Sequence, residues 1–444
     1  MTDLAERAPA AEDWAGSRPV RAARPREHGL VGALLPWLAA AAILAAAPHV
    51  FTSGASLTMM SLMGIMIVFA LSYNMLLGQT GLLSFGHAVY YGLGAFFTVH
   101  VMNVVAAGRL PVPLAVMPLV GALTGLAFGF LFGLVSTRRA GTVFAMISLG
   151  LAELVASGSH ILHSFFGGEE GITTNRTKML RLFDLSFGPQ IQVYYLIAGW
   201  CLVCALLMYG ITRTPLGRLC NAVRENPERV EFIGYEPQGV RLVAFCLSAA
   251  FAGVAGALAA INFEIVNSSY LGLHQSGVVL LAAFIGGIGH FVGPVIGAVL
   301  VTVLQVSLSD LTEVWQLYFG LLFIGIVMFA PGGIAGLALM HGPLIRAGTA
   351  HRLLPAYALA LVPFLALLTG GIALIEMGFR ALVKAGEGTA MTLFGIGLDV
   401  ATPLPWLVAG AAFLGGVLGL RAVAPRVAEA WHAASLAARE GRGS

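Results

Sequence analysis

Apolar runs of membrane-spanning length, separated by short polar clusters, are the dominant pattern along the chain. Twelve such segments can be read: Val31–Phe51, Leu57–Leu77, Ala88–Val105, Pro113–Val135, Gly141–His163, Val193–Ile211, Leu242–Asn262, Gly277–Ile288, Phe291–Leu308, Trp315–Ala330, Leu353–Ile375 and Leu404–Leu420. A helix needs ~20 apolar residues to cross a bilayer, so Gly277–Ile288 is too short and reads as a half-helix or re-entrant piece. The expected fold is all-α: a polytopic transmembrane bundle of about 10 core helices plus about 2 C-terminal helices. One run breaks its own pattern. "NMLLGQTGLLSFGHA" (74–88) places Asn74, Gln79, Thr80, Ser84 and His87 among three glycines inside an apolar block. Either it is a helix boundary at a water interface, or it is backbone lining a cavity.

Composition fits this reading. Of 444 residues 58 % are hydrophobic and 10 % charged, with a mean hydropathy of +0.88, whereas soluble domains carry roughly 25 % charged residues. The opening "RPREHGLVGALLPWLAAAAILAAAP" is read as a first span rather than a cleaved leader. With the N-terminus inside and every segment crossing, eighteen of the 24 Lys and Arg fall on the inner side. Arg109, Arg176, Lys178, Arg181, Arg380 and Lys384 fall outside. The positive-inside rule therefore predicts cytoplasmic termini. The expected domains are a cytoplasmic tail (1–30), a core (31–340) and a C-terminal extension with two further spans (341–444).

Gly121, Gly125, Gly129 and Gly133 recur every four residues, and Ala249, Gly253 and Ala257 repeat the device. Such stripes let helices approach closely in lipid, where no hydrophobic drive exists between them. The most informative polar stretch is the loop 212–242, inside by the charge count. Arg224, Glu225, Glu228 and Arg229 interleave there, a mixture that suits a docking surface better than topology marking alone. Asn226 as N-cap, Pro227 at the first position and Gly234 as terminator predict a short amphipathic helix over Pro227–Ile233.

There is no GxxxxGK[ST], HExxH or GxSxG motif. No catalytic residue and no metal site is expected; Cys201 and Cys204 read as buried thiols on an apolar helix. Transport would need an ion gradient or a separate ATPase. Glu153 is the one carboxylate in mid-span, and His160 and His163 follow it without a third ligand. An intramembrane enzyme using these three groups would lack a nucleophile.

Five motifs together resemble the integral permease subunits of branched-chain amino-acid ABC importers, over residues 31–340. They are "NMLLGQTGLLSFGHAVYYGLGAF", "RRAGTVFAMISLGLAEL", "GRLCNAVRENPERVEFIGYEPQGVRLVAFCLSAAFAGVAGAL", "FIGGIGHFVGPVIGA" and "FAPGGIAGL". Within that family the chain looks like the longer of two paired permeases. The resemblance implies a bacterial inner-membrane importer: a second homologous permease, two cytoplasmic ABC ATPases that use the ATP, and a periplasmic substrate-binding protein. No cofactor is expected in this chain, and no nucleic acid. Arg224, Glu225, Asn226, Pro227, Glu228, Arg229 and Gly234 would couple to the ATPases. Asn74, Gln79, Ser84, His87, Glu153 and His290 would line or gate the path. Glu169 and Glu170 in the outer loop, and residues 341–444, depart from the family pattern. A gradient-driven secondary transporter of a small polar solute is the alternative. Finally, "GHAVYYGLGA" (86–95) and "GHFVGPVIGA" (289–298) share Gly, His, Val, Gly and Ala at equal offsets, which pairs His87 with His290 across two related helix breaks.

Overall fold

The computed structural model describes residues 30–168, 170–179, 186–384, 386 and 388–440. Residues 1–29, Glu169, Arg181 and Arg442, on which parts of the sequence reading rest, lie outside them. Among the described residues the chain forms sixteen α-helices and four short strands. Nine helices are long and apolar enough to cross a membrane, or ten if one bent pair counts as a single span. The fold is the expected polytopic helical bundle.

α1 (Leu30–Val50) belongs to a separate unit that ends at Val50. The second unit, from Phe51 onward, holds every other element. Its spans are α2 (Gly54–Thr80), α3 (Ala88–Ala106), α4 (Met117–Ser136), α5 (Gly141–Ile161), α7 (Gln190–Arg213), α10 (Pro237–Phe263) and α12 (Gly293–Leu311). Between them lie the short α6 (His163–Phe166), α8 (Pro215–Glu225), α9 (Pro227–Phe232) and α11 (Leu273–Gly286). α11 has 14 residues, so at 1.5 Å per residue it extends only ~21 Å. Its short length was legible, and it doubles back on α12: Gly286 abuts Gly293, and Gly297 abuts the Ala282 carbonyl.

α10 is the centre of the bundle. The glycine stripe of α4 faces the small-residue stripe of α10. Any Cβ on Gly121 would run into the Gly253 carbonyl, and any Cβ on Gly125 into that of Ala249. Gly129 meets Ala249, while Gly133 meets the side chains of Leu242 and Phe245. On its other side α10 touches α3 just as closely, Gly253 against Gly94 and Gly256 against the Tyr91 carbonyl. The two stripes seen separately in the sequence are the two halves of one contact.

Opposite ends of the bundle are built differently. One end carries α8 and α9. At the other, β1 (Ile172–Thr173) pairs antiparallel with β2 (Ile265–Val266). Arg176 rivets this end. Its buried guanidinium donates to the carbonyls of Phe187, Gly188, Ile261 and Asn262, the last two being terminal carbonyls of α10. A cation on a helix C-terminus is favourable both as donor and against the dipole. Glu264 ends α10 at φ +56°, a conformation disfavoured for a non-glycine. Its carboxylate accepts the Arg176 N–H at 2.7 Å.

Several further elements were not foreseen. α8 is a full helix within the charged loop. α13 (Trp315–Phe329) and α14 (Gly333–Arg346) are separate helices bent by 43° at Pro331–Gly332. β3 (Ala390–Leu393) and β4 (Ile396–Asp399) form a hairpin between α15 (Leu354–Leu382) and α16 (Pro403–Glu440). These last two helices pack on one another through Gly370, Gly416 and Gly419. Glu376 of α15 ties them to the rest by accepting the hydroxyls of Thr312 (2.7 Å) and Tyr318 (2.9 Å).

The α4–α10 contact makes a clean prediction. Gly125→Leu drives a side chain into helix backbone and should destabilise the fold by ~1–3 kcal/mol or more. Gly150→Leu enters open space and should leave the isolated chain unaffected. Thermal unfolding of the two detergent-purified variants, followed by size exclusion, checks the contrast.

Candidate functional site: a buried helix break joined to the charged segment

The break at 74–88 is largely buried backbone rather than an open cavity wall. α2 ends at Thr80, where Gly81 adopts φ +72° and donates to the Leu77 carbonyl. The chain then runs to His87, which begins α3, with Leu82, Ser84, Gly86 and His87 all buried. Buried non-helical backbone must find partners inside the protein. Here hydroxyls supply them. The Phe85 N–H donates to Ser148 Oγ (3.1 Å), Ala88 N–H to Ser276 Oγ (3.0 Å), and the Tyr73 hydroxyl donates to the Ser84 carbonyl (3.1 Å). These groups come from α5, α11 and α2. Ser248 of α10 donates to the Ser72 carbonyl at 2.6 Å. Serines read as ordinary helix residues in the sequence; their convergence depends on tertiary packing, so only Ser84 was singled out.

His87 has no exposed surface. Its ring stacks on Phe69 (5.5 Å, 14°), meets Tyr73 edge-on (5.2 Å) and reaches Ser72 Oγ through Nε2 (3.0 Å). Because the Ser72 hydroxyl donates to Phe69 O (2.7 Å), Nε2 is the donor in the histidine–serine bond. His290 is exposed and lies three residues before α12, whereas His87 directly precedes α3. Pro294 sets the later start of α12. The shared sequence motif therefore does not give the two histidines a shared environment.

The two breaks nonetheless touch. A Cβ on Gly78 would run into the Asn74 amide oxygen and meet Ile288 O at 2.9 Å. Asn74 Oδ1 and Gln79 Oε1 are buried without a protein partner, the state of groups that meet water or a solute. Gly287, at φ +110°, in turn lies against Gly332 and Gly333 at the α13–α14 bend. Arg224 joins α8 to this chain of contacts. Its guanidinium donates to the Gly78 carbonyl at 2.5 Å, and its Cγ lies over Gly81. A cation again sits at a helix C-terminus.

The short helix after Arg224 follows its sequence signals. Asn226 Oδ1 accepts the Arg229 N–H (3.0 Å), Pro227 occupies the first turn, and Gly234 turns left-handed at φ +88°. The Tyr235 N–H reaches Val230 O and the Gly234 N–H reaches Glu231 O, closing the helix as a Schellman cap. Cys220, Val223, Val230 and Val240 form a small core that holds α8 and α9 together. Around it Glu225, Glu228 and Arg229 are exposed, and so are Phe232 (90 %), Ile233 and Tyr235. The apolar triplet was not picked out in the sequence, where one span-rich chain hides three more hydrophobic residues.

Glu153 lies elsewhere. It belongs to a stripe on α5, Met146–Gly150–Glu153–Ser157–His160, all exposed and spaced by three and four residues. Among the described residues no cluster of three metal-ligating side chains occurs.

A multi-pass bundle whose charged surface segment is hydrogen-bonded to a buried helix break is the architecture of a polytopic membrane protein. The family of branched-chain amino acid transport system permease components matches residues 55–331, and the chain belongs to it. The permease LivM of the branched-chain amino acid transport system of Escherichia coli K12 is 28 % identical over 319 residues, covering 67 % of this chain and 74 % of that protein. BraD of Pseudomonas aeruginosa is 25 % identical over 279 residues (60 % and 90 %), and LivH of Escherichia coli K12 is 24 % identical over 286 (60 % and 90 %). No solved structure matches the chain significantly. The family region ends at the α13–α14 bend, so α14, α15 and α16 lie beyond it.

Burial pushes the Cys220 thiol up to about 11, so little thiolate forms near neutral pH. Maleimide should modify Cys220 slowly in the folded protein at pH 7.5 and rapidly in denaturant, as read by intact mass.

Proposed function

We propose that this chain is the membrane-path subunit of an ATP-driven importer of branched-chain amino acids in a bacterial inner membrane. Its partners are two cytoplasmic ABC ATPases, a second homologous permease and a periplasmic substrate-binding protein. The observation that carries the reading is the Arg224–Gly78 bond, which links a surface segment fit for docking to the buried break. In this reading the α8–α9 end is cytoplasmic and the Arg176 end periplasmic, in keeping with the charge count. Phe232, Ile233 and Tyr235 enter a groove of the ATPase, and Glu225, Glu228 and Arg229 rim it. Closure of the ATPases pushes α8, and Arg224 passes the push to the end of α2, then through Ile288 to the α11–α12 turn.

The path candidates divide by position. His87, Ser84 and Ser72 hold the break together, whereas Asn74 and Gln79 keep amide oxygens open at its cytoplasmic end. Glu153 sits on a face that lipid cannot cover cheaply, since an intramembrane carboxylate is costly in hydrocarbon. The second permease covers that α5 stripe, and the path runs between the two subunits. His290 lies at the cytoplasmic mouth. The α15–α16 pair is an accessory to this core.

Phe232→Ala should weaken ATPase co-purification by ~2 kcal/mol or more, the loss of a buried aromatic anchor. Glu225→Ala with Arg229→Ala should lower ATP-driven uptake, with membrane insertion intact. Arg224→Ala should uncouple: ATPase binding stays and uptake falls. Uptake assays with co-purification check all three, and wild-type uptake in the Glu225/Arg229 double variant removes the docking assignment.

A further inference from the structure

At the Arg176 end, apart from the break, α2, α3, α10 and α12 enclose a cavity of about 400 Å³, within the ~300–1,000 Å³ range of small-molecule sites. Leu62, Ile65, Met66, Phe263 and Val306 form its apolar wall. Tyr91 and Tyr270 form an aromatic floor, their rings stacked at 5.6 Å and 19°. Polar groups face them from the first turn of α11 and from α12: Gln275, Thr302, Gln305, Ser309 and Asp310. No Lys or Arg lines the space.

Two of these residues depart from the chain's own habits. Helical threonines here return their hydroxyls to the carbonyl four residues back, as Thr58, Thr98, Thr124 and Thr369 do at 2.7–3.0 Å. Thr302 does not. It is 4 % exposed, and its Oγ1 is buried with no partner. Asp310 stands in the last turn of α12, where the helix dipole disfavours an acid, and no cation neutralises it among the described residues. A buried unpaired donor and a dipole-opposed carboxylate are local costs, of the kind a chain carries at a binding site.

We propose that this cavity binds a primary ammonium borne on an apolar body, held by Asp310 and the Tyr91–Tyr270 face, with Thr302 and the amides of Gln275 and Gln305 taking an adjoining carboxylate or phosphate. Ammonium over an aromatic face adds to the ion pair, while small dianions are repelled by Asp310. Two sources carry this chemistry: a branched-chain amino acid from the aqueous side, and an aminophospholipid headgroup from the leaflet. The site needs neither the ATPases nor the second permease, so it goes beyond the importer reading.

The test uses the full-length chain in nanodiscs of phosphatidylcholine and phosphatidylglycerol, which have no primary ammonium. Its native thiols are all buried, so Ser309→Cys or, as an independent reporter on the apolar wall, Val306→Cys reports access of a hydrophilic thiol reagent. L-leucine at ~10 Kd should slow labelling about tenfold by mass action, and 4-methylpentanoate, which lacks the ammonium, should not. Phosphatidylethanolamine in the nanodisc protecting instead assigns the headgroup. Asp310→Asn should abolish protection with either. Labelling that neither ligand slows in either reporter overturns the site, whereas the importer reading fails only on ATP-driven uptake by the assembled complex.

Discussion

Everything in the bundle hangs on how closely α10 lies to its neighbours. In lipid a helix gains nothing by hiding leucine from leucine; only dense packing and hydrogen bonds hold spans together. Gly121 and Gly125 on one side, and Gly94 and Gly256 on the other, bring backbones into contact around α10. That position makes one rigid helix common to three places. Its first turn leaves the α8–α9 core, its middle offers Ser248 to the break, and its last carbonyls are held by Arg176. A displacement at any of these sites is shared by the others.

The break shows the complementary constraint. Opening a helix in hydrocarbon frees peptide groups that have no water to turn to. Ser84, Ser148, Ser276 and Tyr73 take those groups up, each with one hydrogen bond of 3.0–3.3 Å. Replacing hydroxyl partners one at a time leaves a buried N–H or C=O orphaned, at ~1–3 kcal/mol each. The irregular stretch is thereby fixed in one conformation and can move only as a body with the helices that supply its partners.

How much of this was legible depends on the range of the signal. Local chemistry read true: the caps Asn226 and Gly234, the glycine stripe of α4, the short α11 and the break itself follow from residues a few positions apart. Long-range geometry did not. The sequence placed His87 beside the path, because a histidine among glycines looks functional; the fold seals it among Phe69, Tyr73 and Tyr90. It paired His87 with His290, yet the contact between the breaks is Gly78 with Ile288. Thr302 and Asp310, in α12, were passed over because nothing in a single span marks an unreturned hydroxyl or a cavity. The Gly/Pro motif at 329–337 entered only as one of the family motifs, and the helix beyond it was missed.

That helix gives the third glycine contact a further meaning. α14 begins at Gly333, whose backbone rests on Gly287, and in its last turn Leu344 joins a cluster with Leu353, Ala434 and Ala438. It is 14 residues long, about 21 Å, so a turn of ~10° at Gly333 swings its far end by ~4 Å. The bend at Pro331–Gly332 is thus a fulcrum, and α15 and α16, which follow α14 outside the family region, are fastened to the long arm of the lever.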